Sequence, residues 1–180
     1  MTTDRTTVFS TERLVVRRWS SGEIDDLLAV YGDADAMRWV GEGRAITRDE
    51  CGRWIDVTMA NYAKRGYGMF ALEEKATGRV VGYCGIVHPG GQPEPEVKYA
   101  LRRSHWGSGL ATEAVRGLVR YGFEAHGLRE MIATAAPANA ASHRVLAKAG
   151  FERSALRTND DGGRTQLFHW RSPGADRPQP

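Results

Sequence analysis

Apolar residues recur along the chain at two spacings, one typical of α-helices and the other of β-strands. Helical spacing follows Ser20 and Thr47, and each of these has a glutamate three residues later, as in a capping box. A longer helical repeat runs from Leu110 to Ala125, and Asn139 is placed to cap a fourth helix, 140–149. The pattern therefore predicts four helices, joined by shorter apolar segments.

These shorter segments are rich in β-branched and aromatic residues, which favours strands. A loop with three prolines, 89–95, separates the third predicted strand from the fourth. The order of elements indicates a mixed α/β layer arrangement with two helices inserted early, which several folds share. The predicted strands are 14–19, 68–73, 80–88, 96–101, 131–136, 151–156 and 166–170.

Composition indicates a folded globular domain. The chain has 180 residues, of which 41% are hydrophobic and 26% charged. We expect one domain over 1–172 and a disordered tail over 173–180. No apolar run approaches the roughly 20 residues that span a bilayer, and residues 1–7 lack an apolar signal core. We therefore expect a cytoplasmic protein without a membrane partner.

Charge and metal-binding residue types argue against two further classes of function. The net charge is +3, and the arginines are spread out instead of forming a basic stripe, so we expect no nucleic-acid partner. Cys51 and Cys84 are too few and too isolated for a disulfide framework or a metal site, and neither His88 nor His105 has a second ligand at metal-binding spacing. We predict a protein that uses no metal.

The segment 103–114 carries the clearest chemical signal. It lies between the predicted strand 96–101 and the longest helix, so Gly107 and Gly109 come where a loop meets a helix N-terminus. Free N–H groups and the helix dipole favour an anion there, such as a pyrophosphate, and glycine allows its close approach. The segment lacks the Gly-Lys-Ser/Thr of a P-loop, and Thr112 stands where a Rossmann fingerprint has its third glycine. On this pattern alone, an ordinary turn remains the alternative.

A second segment, Asn139-x-x-Ser142 leading to the run 148–151, favours phosphate binding over an ordinary turn. Together with 106–114 and the opening segment 11–17, it resembles the GNAT superfamily of acyl-CoA-dependent N-acyltransferases. The nearest branch is the Rim type, which acetylates the N-termini of ribosomal proteins, together with its small-molecule relatives. The resemblance implies an α/β (α+β) fold with a mixed, mostly antiparallel twisted sheet and flanking helices. The sheet is expected to splay between strands four and five to form an acyl-CoA cleft.

The resemblance also implies which residues hold acetyl-CoA, the co-substrate. The backbone of the fourth strand is expected to pair with the pantetheine arm like an added strand. The loop and helix start would bind the phosphates, and Arg103 beside them is a candidate for added positive charge. An asparagine side chain would bond the pantetheine, although it also suits a helix cap. These positions are Tyr99, Ala100, Leu101, Gly107, Ser108, Gly109, Leu110, Ala111, Thr112 and Asn139.

Glu96 is the candidate general base. Acyl transfer from a thioester to an amine requires a neutral amine, so a base must take its proton. Members of the Rim-type branch often carry a Glu-x-x-Tyr pattern, which Glu96 and Tyr99 match. The alternative is a structural carboxylate at the strand edge, paired with Lys98 or Arg102. Glu94 is a second candidate carboxylate, although its flanking prolines indicate a surface loop.

Ser142 is the candidate general acid. Many GNAT enzymes protonate the leaving thiolate with a tyrosine four residues before the Gly-Phe pair, but Leu146 occupies that position here. In the Rim-type branch a serine at the position of Ser142 is the suggested substitute. The alternative is that Ser142 only bonds a carbonyl in the first helical turn.

These residues together predict an acetyl-CoA-dependent N-acetyltransferase that transfers acetyl directly to a primary amine. The amine is either a protein N-terminus or a small molecule, and Trp39 is a candidate for contact with it. Trp19, Trp54 and Trp170 lie in apolar patterns and are expected in the core. The sequence leaves open whether the protein forms a homodimer. The alternative function is a non-catalytic acyl-CoA-binding sensor or assembly module on the same fold.

Overall fold

The structure, a computed structural model, describes residues 5–41 and 43–174. Its eight strands form one sheet in the order β1-β2-β3-β4-β5-β6-β8-β7. All neighbours are antiparallel except β5 and β6. The strands are β1 (Thr7–Ser10), β2 (Leu14–Arg17), β3 (Met69–Glu74), β4 (Arg79–Val87), β5 (Glu96–Leu101), β6 (Glu130–Ala135), β7 (Glu152–Thr158) and β8 (Arg164–Arg171).

Helices cover both faces of this sheet, and five of them are α-helices within the described residues. The predicted capping box at Thr47 and Glu50 is confirmed, as is the Asn139 cap. The helix that begins after Thr47 ends at Gly66, which has a left-handed conformation. The mixed, mostly antiparallel fold that we expected is confirmed. The helices are α1 (Ile24–Tyr31), α2 (Ala34–Met37), α3 (Arg48–Arg65), α4 (Leu110–His126) and α5 (Ala140–Lys148).

The sheet splits between β5 and β6, which are the fourth and fifth strands of the sequence prediction. The two strands share one register pair, Glu96 with Ile132, and the Ile132 N–H donates to the Pro95 carbonyl at 2.9 Å. Beyond this point the strands diverge towards their C-terminal ends. The loop that enters α4 and the start of α5 both lie at this open end, so the split leads directly to two helix N-termini.

Strand alternation divides β5 between two cores. Val97 and Leu101 belong to the core beneath α4 and α5, and the half-buried Tyr99 packs against it. Ala100 belongs to the core beneath α1, α2 and α3. Because successive side chains point to opposite faces, Glu96 lies on the α3 face, while Tyr99 lies on the α5 face.

Three parts of the sequence prediction were wrong or incomplete. The strand β1 was not predicted; it is a four-residue edge strand, and its Phe9 ring stacks on Tyr121 at 5.5 Å. The predicted first strand ends at Arg17 instead of Trp19, and the short helix α2, which follows Asp33, was not predicted. All three concern elements of four residues, which carry few apolar repeats.

Ser20 does not cap α1, contrary to our prediction. Helix α1 begins after Glu23, and the Ser20 hydroxyl is buried without a hydrogen-bond partner among the described residues. The Glu23 carboxylate accepts the Ser20 N–H at 2.9 Å but also accepts from the Arg17 guanidinium at 2.8 and 3.0 Å. The ion pair with Arg17 therefore fixes Glu23 and places the helix start three residues later than the pattern indicated.

No helix in the described part of the chain is long and apolar enough to cross a membrane. Of the tail for which we expected disorder, residues 175–180 lie outside the described residues.

Candidate active site

A single continuous cavity of about 1320 Å³ follows the split in the sheet. It begins at the loop before α4, passes between β5 and the start of α5, and reaches the underside of α3. Sites for one drug-sized ligand are usually about 300–1,000 Å³, so this cavity has room for two substrates. It brings most of the predicted site residues together, namely Tyr99, Ala100, Leu101, Gly107, Gly109, Leu110, Ala111, Thr112, Asn139 and Ser142.

The glycine loop forms the outer end of the cavity. Gly107 and Gly109 have φ angles of +71° and +83°, in the left-handed region that favours glycine. Gly109 is the N-cap of α4, and the first intrahelical bond runs from the Glu113 N–H to the Gly109 carbonyl at 3.1 Å. The N–H groups of the first helical turn therefore remain available at this end of the cavity.

Arg13, which the sequence analysis did not single out, holds this loop in place. Its guanidinium donates to the Ser108 carbonyl at 2.9 Å and to the Glu113 carboxylate at 2.7 Å. The Thr11 hydroxyl donates to the same carboxylate at 2.5 Å. Burial raises the pKa of Glu113, but the hydrogen bonds from Thr11 and Arg13 outweigh it and the net pKa is lowered. The β1–β2 turn thus neutralises a carboxylate next to the expected phosphates.

Two other residues beside the loop have structural contacts. Ser108 does not line the cavity, and its hydroxyl donates to the His105 carbonyl at 2.7 Å. Arg103, our candidate for added charge, pairs with Asp35 at 2.7 Å and with Asp33 at 3.4 Å. Its charge is directed towards α2, so it does not face the loop.

The free edge of β5 forms the wall of the split. The Arg102 N–H donates to the Val81 carbonyl of β4 at 2.8 Å. In an antiparallel strand the backbone groups of alternate residues bond the same neighbouring strand. The backbone of Ala100, like that of Arg102, therefore bonds β4. The N–H and C=O groups of Tyr99 and Leu101 point the other way, into the split. The Leu101 carbonyl accepts from Trp106 Nε1 at 3.0 Å.

The start of α5 forms the opposite wall. Asn139 Oδ1 accepts the Ser142 N–H at 3.1 Å and so caps the helix, while its amide nitrogen has no partner among the described residues. The Ser142 hydroxyl contacts the Tyr99 hydroxyl at 2.6 Å. The family resemblance implied only a backbone role for Tyr99, so its side chain is an unforeseen part of the site.

Leu146, which replaces the tyrosine of many GNAT enzymes, is fully buried in the core beneath α5. It does not line the cavity. This position therefore supplies packing and no proton donor.

Glu96 lies at the closed end of the split and is 4% exposed. Its Oε1 accepts from the Thr134 hydroxyl of β6 at 2.5 Å and pairs with Lys98 Nζ, and its Oε2 accepts from Gln92 Nε2 at 3.3 Å. Lys98 and Thr134 line the cavity, whereas Glu96 lies behind them. The pairing with Lys98 that we held as the structural alternative is present, while Glu94 is exposed on the preceding loop.

The inner end of the cavity has an aromatic wall. Tyr31 stacks on Tyr83 at 4.8 Å, and Trp54 of α3 packs edge-on against Tyr31 at 5.8 Å. Trp39, 44% exposed, lies at the entrance to this end. Trp54, which we expected in the core, therefore also lines the cavity.

Within residues 5–41 and 43–174, no three His, Cys, Asp or Glu side chains are grouped so that they could hold a metal ion. Both cysteines are buried as free thiols, and His88 bonds Tyr67 and the Gln92 carbonyl.

Comparisons with known proteins identify the family. A family profile described as an acetyltransferase (GNAT) domain matches residues 13–152. The uncharacterized N-acetyltransferase p20 of Bacillus licheniformis is 30% identical over 153 residues, which cover 81% of this chain and 83% of p20. The chain therefore belongs to the GNAT family and is an acetyltransferase.

Two solved structures share the fold. The ribosomal-protein-S5-alanine acetyltransferase from Vibrio fischeri has a TM-score of 0.78 and 19% identity, covering 94% of this chain and 98% of that one. The Microcin C7 self-immunity acetyltransferase MccE, in complex with acetyl-CoA and AMP, has a TM-score of 0.75 and 10% identity, covering 89% of this chain and 93% of that one. Structural neighbours therefore include a ribosomal-protein acetyltransferase and an enzyme with bound acetyl-CoA.

Proposed function

We propose that this protein is an acetyl-CoA-dependent N-acetyltransferase that transfers acetyl directly to a primary amine. The observation that carries the proposal is the course of the cavity, which connects a helix N-terminus to an aromatic wall through the split between β5 and β6. One end suits phosphates and the other suits an organic acceptor, so both substrates can meet in the split. We place the enzyme near the Rim-type branch, in the cytoplasm.

In this proposal acetyl-CoA occupies the outer part of the cavity. Its pyrophosphate lies against the first turn of α4, where N–H groups and the helix dipole favour an anion. The pantetheine arm pairs with the N–H and C=O groups that Tyr99 and Leu101 direct into the split. The amide nitrogen of Asn139 donates to a carbonyl of that arm, since its oxygen is already used in the helix cap.

The amine occupies the inner part, against Trp39 and the Tyr31–Trp54 wall. Its proton passes to Glu96 through the hydrogen-bonded group of Thr134 and Lys98, or through a water beside them, because Glu96 lies behind both. The Lys98 ammonium also favours a neutral amine over a charged one, because like charges repel. The acceptor is a protein N-terminus or a small amine.

A non-catalytic acyl-CoA sensor or assembly module is the second candidate function. Two observations favour it: Leu146 is buried at the position where the family resemblance implies a tyrosine, and Glu96 is held in an ion pair. Both functions require CoA binding, but only the first requires an acceptor.

CoA binding is tested by its effect on thermal unfolding. With CoA at a hundredfold excess over its Kd, we expect a stabilisation of about 2.7 kcal/mol by mass action. Gly109→Val should abolish this gain, because its side chain would stand beside the phosphate approach and strain the left-handed N-cap. The measurement is the melting temperature with and without CoA.

Gly78→Val is the matched control. Gly78 has a φ of +65° in the β3–β4 turn, and a Cβ there meets nothing within 4 Å. It carries a similar backbone strain but lies outside the cavity. We expect a lower melting temperature in both variants and a CoA response in Gly78→Val alone. A wild-type melting curve that CoA does not move would overturn the proposed function.

A further inference from the structure

The contact between Tyr99 and Ser142 joins the two walls of the split. Tyr99 belongs to β5 and Ser142 to the first turn of α5, and their hydroxyl oxygens are 2.6 Å apart. Both residues are half-buried and both line the cavity. The contact with Tyr99 is the hydrogen bond that the Ser142 hydroxyl makes within the described residues, so the pair is a local unit directed at the split.

The position of this pair complements that of Glu96. Successive side chains of β5 point to opposite faces, so Glu96 and Lys98 face α3 and the acceptor wall, whereas Tyr99 faces α5. A thioester held in the split would therefore have the base on one side and the hydroxyl pair on the other. The amine would approach from the first side, and the thiolate would leave on the second.

The acidity of the two hydroxyls decides their roles. A serine that gave up its proton alone would become an alkoxide, whose conjugate acid is about as weak as water. Burial raises the pKa of the Tyr99 phenol to about 12, although the hydrogen bond with Ser142 lowers it. The phenol is thus the stronger acid of the two, and it stays protonated at neutral pH.

We propose that Tyr99 supplies the proton for the leaving thiolate through Ser142. This inference rests on the proposed function. When the tetrahedral intermediate collapses, its C–S bond breaks and the electron pair leaves on sulfur. The Ser142 hydroxyl gives its proton to sulfur and takes the proton of Tyr99. Solvent then returns a proton to the phenolate and takes up the one that the amine released. Tyr99 is thus a positioning residue that acts through Ser142.

The test is the titration of the CoA thiol in the binary complex, followed by the ultraviolet absorbance of the thiolate. Hydroxyl donors favour the thiolate and so lower the pKa of the bound thiol. Tyr99→Phe should raise that pKa by about one pH unit, the effect of weakening one hydrogen bond to a charged group. Ser142→Ala should raise the pKa of the bound thiol at least as much. The double variant, Tyr99→Phe with Ser142→Ala, should raise it no further than Ser142→Ala does alone.

Tyr121→Phe is the matched control. Tyr121 is also partly buried and its hydroxyl contacts His126, but it lies outside the cavity. We expect the CoA thiol bound to Tyr121→Phe to have the same pKa as the thiol bound to the wild-type protein. In steady-state assays Tyr99→Phe should lower kcat and leave the KM for acetyl-CoA nearly unchanged.

Two results would count against this account in different ways. If the wild-type protein binds CoA and Tyr99→Phe leaves both the thiol pKa and kcat unchanged, the role of Tyr99 is overturned while the proposed function stands. If the wild-type protein binds no CoA, the proposed function fails and this inference fails with it.

Discussion

Glu96→Gln is expected to lower the turnover number by about 100-fold, as removal of a general base typically does. Glutamine keeps the shape of the side chain but cannot take the proton that the amine must lose. Affinity for acetyl-CoA should change little, because the carboxylate lies on the α3 face of β5, away from the loop before α4. The measurement is the initial rate at saturating acetyl-CoA, together with the CoA-induced shift in melting temperature.

The loss of turnover in Glu96→Gln should become smaller as the pH rises through the pKa of the acceptor amine, which is about 8 for an α-amino group. Above that value the amine is already neutral and needs no base to bind in its reactive form. Glu94→Gln is the matched control, because Glu94 is an exposed carboxylate two residues away. Equal turnover in Glu96→Gln and the wild type at neutral pH would remove Glu96 from the mechanism and leave its pairing with Lys98 as its role.

Arg17→Met is expected to destabilise the fold by about 3–5 kcal/mol, the usual cost of breaking a buried ion pair from one side. Arg17 and Glu23 are only 3% and 5% exposed, and Arg17 also donates to Glu73 at 2.8 Å. Without Arg17, a buried carboxylate loses its main partner. The measurement is the free energy of unfolding in urea. Arg48→Met, which breaks the exposed pair with Asp25, should have a much smaller effect.

The cost of Arg17→Met should depend on pH. Burial raises the pKa of Glu23, but the hydrogen bonds from Arg17 and Ser20 outweigh it, so the pKa lies below 4.5 in the folded state. A carboxylate with a lowered pKa stabilises the fold above its unfolded pKa, and this contribution is lost as the pH falls through the folded pKa. The difference between wild type and Arg17→Met should therefore narrow below about pH 4.5. A difference that stays constant down to pH 3 would contradict this assignment.

The elements that the sequence predicted correctly have local signals. The Thr47 capping box, the Asn139 cap and the apolar stripe of α4 each depend on residues within a few positions of one another. The errors arose where a contact that the local pattern does not show decides the outcome. Ser20 has the right spacing for a cap, but its partner Glu23 is held by Arg17. Likewise β1 exists because Thr7, Phe9 and Ser10 pair with β2, and no periodicity within so short a segment reveals this pairing.

The same distinction holds for the candidate site. The glycine loop and the Asn139–Ser142 segment were identified from motifs, and the cavity brings them together. The contact of Tyr99 with Ser142 joins residues 43 positions apart, and the bond from Arg13 to Glu113 joins residues 100 apart. Both depend on how the strands and helices assemble, so a single sequence gave no signal for either.

The most direct test of the central claim is the release of CoA thiol from acetyl-CoA in the presence of a panel of amines. The panel should include peptides with free N-termini and small primary amines, with each product checked by mass spectrometry. We predict slow release without an acceptor, marked acceleration by at least one amine, and a product heavier by one acetyl group. A protein that CoA stabilises but that transfers acetyl to none of these amines would contradict the account and favour the sensor module.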